Sequence, residues 1–133
     1  LQVTSQLSQA VDSIYSFNHE AKIIVTGDFN DYSDSPALKF LEHHQLVNIS
    51  QDAYGRNGAK GTYRYHGEWR SLDQMLCSQS LVGQKIACEV GDLLFLLQDD
   101  DKYGGKKPFR TFLGPRYLGG YSDHLPLVAW FKL

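Results

Sequence analysis

Long apolar runs are missing from this chain: no stretch approaches the roughly 20 residues that cross a bilayer, and its first residues lack the basic-then-apolar pattern of an export signal. No membrane span is expected. An excess of charge of either sign is missing too. Thirteen basic residues face fifteen acidic ones, for a formal net charge of −2. The chain as a whole therefore does not attract polyanions, and any affinity for phosphate must be local. Cysteine is confined to Cys77 and Cys88, with no C-x-x-C spacing. A disulfide framework is excluded, a single bridge stays open, and buried free thiols are the expected state. Repeats and low-complexity tracts are absent, and the glycan-acceptor pattern at Asn48-Ile49-Ser50 carries no weight without a secretory context.

What is present points to one folded unit spanning residues 1–133. A hydrophobic content of 42% supplies a core for a single domain of this length, and an aromatic content of 13%, spread along the chain, needs a packed home.

Val3, Leu7, Ala10, Val11 and Ile14 recur at helical spacing, which predicts a helix over 2–17 with that stripe buried. The run "KIIVTG" predicts a strand buried on both faces. Ser35-Pro36 is an N-cap followed by proline at the first helical position, opening a short helix toward His44. In "GTYRYHGEWRSLDQMLCS", residues 62–65 and 72–77 read as the two arms of a hairpin around Gly67. Residues 85–90 and 125–133 read as two further strands, with Pro126 tolerated near the start of the last. Between them, 99–122 reads as one long glycine-bearing loop of functional or mobile character.

Three stretches could carry chemistry. In "GDFND", Asp28 and Asn30 at i and i+2 leave a strand on the same side, offering an acceptor-only carboxylate and an amide donor. The competing reading is an Asx-type turn after Gly27. In "YSDHLP", Asp123 can ligate a hard cation, and His124 has the side chain whose ordinary pKa, about 6.5, suits proton transfer at neutral pH. A surface Asp-His turn explains the same residues. In "WRSLDQML", Asp73 interrupts an apolar strand, so it needs a partner, such as a histidine to orient, or a solvent-facing position. A fourth segment, 102–122, carries Lys102, Lys106, Lys107, Arg110 and Arg116 without an acid, interleaved with aromatics. It reads as a phosphate grip with stacking support or as a solvated loop. Arg64, His66, Glu68, Trp69 and Arg70 read as the rim of the hairpin turn, and His19, His43 and His44 as helix-terminal or surface residues.

Taken together and in this order, "GDFND", "SLDQMLCS" and "SDHLPLVAW" resemble the sequence blocks of the endonuclease/exonuclease/phosphatase superfamily, the deoxyribonuclease-like fold. The resemblance implies metal-dependent hydrolysis of phosphate esters with Mg²⁺ or Mn²⁺. It gives Asp28 the attacking water, Asn30 the phosphate, Asp73 the orientation of the catalytic His124, and Asp123 the metal, while Lys106, Lys107 and Arg110 become candidates for substrate binding.

The implied fold is α/β: the C-terminal half of a four-layered α/β sandwich, with a mixed sheet and flanking helices. In that pattern an early asparagine, a metal-anchoring glutamate and a mid-domain histidine fall upstream of residue 1. The expectation is therefore a partial domain, inactive or nearly so alone, that presents a sheet face to a missing half or to itself. The alternative is a non-catalytic module that binds nucleic acid or serves assembly.

Overall fold

The computed structural model describes residues 2–29 and 35–133. Helix α1, Gln2–Phe17, stands where the periodicity places it. Its buried row, however, is Thr4, Ser8, Val11 and Tyr15, while Val3 and Ile14 are exposed. The rotated stripe carries two polar groups that find partners, one within the helix and one thirty residues away. Ser8 Oγ donates to Ser5 O at 2.8 Å, and Tyr15 Oη donates to Gln45 O at 2.9 Å, so their burial costs little.

Strand β1, Ile24–Asp28, follows, and then α2, Pro36–Glu42. Ser35 caps α2 as expected: its hydroxyl accepts from Leu38 N at 3.3 Å, with proline in the first turn. Strand β2, Leu46–Asn48, was not anticipated, since three residues are too few to show a period. Next come β3, Tyr63–Tyr65, β4, Glu68–Arg70, and β5, Asp73–Ser78. A single turn of helix, α3, Gln79–Val82, leads to β6, Lys85–Val90. Strands β7, Leu97–Asp99, β8, Lys106–Pro108, β9, Phe112–Leu113, and β10, Arg116–Tyr117, precede β11, Leu127–Phe131.

Three expectations are corrected here. The hairpin arm opposite β3 is β4, not 72–77, because His66 (φ 49°) and Gly67 (φ 80°) both take the left-handed conformation. A two-residue turn of that kind closes the strands at once. Freed from the hairpin, β5 runs instead between β1 and β2. The 99–122 segment is not a bare loop, since it contains β8, β9 and β10. Finally, every strand pair among the described residues is antiparallel, where a mixed sheet was expected.

Alternation along β5 sets the layers. Leu76 faces Val11, Tyr15, Leu38 and Leu41, so α1 and α2 cover one side of the β1–β5–β2 sheet. Met75 and Cys77 face the other way, toward Cys88, Leu127, Ala129 and Phe131 of the β6–β11 ribbon. The two thiols are free and both are raised above their ordinary pKa, chiefly by burial. Burial of β1 on both faces does not occur: Val25 joins the helix-side core, but Ile24, Thr26 and Asp28 are exposed. No helix among the described residues is long and apolar enough to cross a membrane.

Candidate active site

The site begins with strand register. Asp28 lies directly opposite Asp73 in the β1–β5 ladder, so the two carboxylates project to one face. It is the face that carries Met75 and Cys77 toward the β6–β11 ribbon, and the chain entering β11 brings His124 there. Thr62, fully buried, fixes that approach twice over: its carbonyl accepts from Leu125 N at 2.7 Å, and its hydroxyl accepts from Asp73 N at 3.2 Å. Tyr63 then bridges to His124 along the backbone, with the two rings 5.1 Å apart. Neither Thr62 nor Tyr63 was singled out from sequence. Nothing about a threonine and a tyrosine in a β-rich arm reveals which distant segments they join.

His124 Nδ1 lies 2.6 Å from Asp73 Oδ2. A carboxylate at that distance accepts the Nδ1 proton, which leaves Nε2 as the outward nitrogen and fixes the ring plane. Nε2 stands 3.8 Å from Asp28 Oδ2, beyond hydrogen-bond range. The imidazole and the second carboxylate therefore border a common space. Side-chain exposures of 19% for Asp73, 24% for His124 and 44% for Asp28 grade outward from the orienting group to the edge of the solvent.

One ligand atom from each of these three residues lies within 4.8 Å of the others. Two carboxylates and an imidazole suit a divalent ion in donor type, but the Asp73–His124 bond already engages Nδ1 and Oδ2. The fit is therefore through the oxygens toward Asp28. Hard cations such as Mg²⁺ take one or two protein carboxylates and complete their shell with water and substrate oxygens. Asp123 is exposed and stands outside the cluster of three, and Asn30 lies outside the described residues.

The basic segment is divided by its hairpins. Lys106 Nζ is 2.6 Å from Asp99 Oδ1, across the β7–β8 pair. Lys107 and Arg110 instead line a cavity of about 420 Å³ that Tyr63 also borders. Arg64 is no rim residue. Its side chain is 10% exposed and donates to Gly104 O at 2.8 Å, to Gly67 O at 3.0 Å and to Lys106 O, with Asp100 3.6 Å away and Trp69 beneath its guanidinium. His44 pairs with Asp12 at 2.9 Å, and His43 caps α2, as surface roles require.

Buried Asp100 anchors the turn after β7 by accepting from Tyr103 N at 2.9 Å and Lys102 N at 3.1 Å. The Tyr103 amide is the largest cause holding its carboxyl below the ordinary 3.8. Burial opposes this, while the Lys102 amide and the charges of Lys107 and Arg64 add to it. A depressed folded value stabilises the protein above the unfolded pKa, and that stability is lost as pH falls through the folded value. As pH falls below the ordinary carboxylate range, Asp100→Asn is therefore expected to lose less stability than the wild type, as read from urea midpoints. Parallel acid limbs would contradict the assignment.

A family model described as "Endonuclease/Exonuclease/phosphatase family" matches residues 2–132. The chain belongs to that family, whose members are phosphoesterases and nucleases and are in general dependent on divalent metal. No curated protein and no solved structure matches the chain.

Proposed function

We propose that this chain is the C-terminal part of an enzyme that hydrolyses phosphate esters by in-line attack of water, with Mg²⁺ or Mn²⁺ as its ion, and that it has little or no activity by itself. The observation that supports this best is the 2.6 Å Asp73–His124 bond facing Asp28 across a shared space. In this reading Asp73 holds the Nδ1 proton, so that Nε2 can hold or pass a proton at a phosphoryl oxygen, and Asp28 aligns the attacking water. Asn30 would hold the phosphate and Asp28 would contribute to the ion's shell; Asp123, which the family pattern puts at or near the metal, would have to reach it from outside the cluster of three. When bound, the ion neutralises charge on the phosphoryl oxygens. The finer fold assignment, the C-terminal half of a four-layered sandwich, belongs to the same proposal. Its support is the layering, with α1 and α2 on one side of the β1–β5–β2 sheet and the β6–β11 ribbon on the other. Single-stranded DNA, RNA and a phosphomonoester, each incubated with Mg²⁺ or Mn²⁺ and with EDTA, test the reaction. Hydrolysis of at least one by the full-length protein, abolished by EDTA, is expected; no ion-dependent hydrolysis of any would overturn it.

A further inference from the structure

The cavity beside the site has a composition that the reaction alone does not require. Arg64, Lys102, Lys107 and Arg110 line it against one carboxylate, Asp100, and Arg64 is already committed to carbonyls and to that carboxylate. A local positive field therefore remains on a chain that is nearly neutral overall. The wall is also aromatic. Tyr65 and His66 stack with ring centres 4.0 Å apart and planes 10° from parallel, and His66 and Tyr103 lie 6.1 Å apart at 15°. Lys102 Nζ lies over the Tyr103 ring, 5.3 Å from its centre, so an exposed and flexible ammonium ends the column and a base seated on Tyr103 would displace it.

Half-buried cations beside flat, partly exposed rings make a surface for a ligand that alternates phosphate with planar rings. Inositol phosphates offer no ring face of that kind, and lipid headgroups offer no stack. Tyr63 joins this cavity to the reactive centre, because it lines the one and packs against His124 in the other.

We propose that the cavity formed by the β3–β4 turn, the Asp100–Tyr103 turn and Arg110 binds single-stranded nucleic acid, seating a base on the Tyr103 end of the column and its phosphate at Lys107 and Arg110. This names the substrate class of the phosphoesterase above and rests on that reading for the phosphate that continues toward His124. Duplex is disfavoured, because paired bases keep their faces stacked on one another. Lys106, held by Asp99, lies outside the grip.

The test is fluorescence anisotropy of the whole chain in EDTA, so that binding is read without turnover, using an oligothymidylate and an abasic strand of equal length and charge. Tighter binding of the oligothymidylate is expected, together with roughly a tenfold loss in Tyr103→Ala, the scale of one base–aromatic stack. Recovery in Tyr103→Trp and no change in Phe17→Ala, an exposed residue of α1, would support it. Equal affinity of wild-type protein for the two strands overturns the inference without needing any variant, and ion-dependent hydrolysis would still stand. Base-dependent binding with no hydrolysis by the full-length protein would instead keep the cavity assignment and sink the reaction.

Discussion

In the full-length protein, His124→Ala is expected to lower the rate of ion-dependent phosphate-ester hydrolysis by about 10²- to 10⁴-fold, the usual share of a positioned acid–base group. Asp73→Asn should fall in the same range. An asparagine keeps the shape but can present its NH₂ to Nδ1, favouring the tautomer with its proton on the wrong nitrogen. The two losses should not add, since Asp73 acts through the 2.6 Å bond to the ring. His124 and Asp73 are part-exposed, so thermal unfolding of both variants should stay close to that of the wild type. Added imidazole restoring part of the rate in His124→Ala would set a chemical role apart from a structural one. A variant with unchanged turnover would remove His124 from the reaction.

Arg64→Ala is expected to carry the largest cost in stability, about 3 kcal/mol or more. The guanidinium is a donor shared among the Gly67, Gly104 and Lys106 carbonyls and it faces buried Asp100. Truncation strands a buried carboxylate and several acceptors at once, the circumstance in which losing one partner costs most. Arg64→Lys should recover little, because an ammonium cannot spread its donors as the planar fork does. A lowered urea midpoint, with faster hydrogen exchange at the Lys102 and Tyr103 amides that Asp100 holds, is the expected pattern. A change within about 0.5 kcal/mol would show that the β3–β4 hairpin and the 100–106 turn stand without this pin.

The three side chains that meet in the candidate site could be picked out from the chain because they sit at element ends that sequence marks well. Gly27-Asp28 closes an apolar run, Asp73 opens another, and Asp123-His124 precedes the last strand. The cap at Ser35 and the helix at 2–17 were legible for the same reason, as local patterns with local causes. The buried row of α1 was less so, since Ser8 and Tyr15 enter the core through bonds that composition does not announce.

By itself, then, the sequence determined the family's motif order, the element ends that carry the candidate side chains and the absence of any bilayer-length run. Tertiary structure alone decided which arm pairs with which, that Asp28 stands opposite Asp73, and that Thr62 ties Asp73 to the segment carrying His124. It also split the basic segment, assigning Lys106 to Asp99 while Lys107 and Arg110 line the cavity, and it turned Arg64 from rim to pin. The reason is physical. Hydrophobic period and capping act within a few residues, whereas register, burial of a charge and the meeting of distant side chains depend on contacts that exist only once the strands have paired.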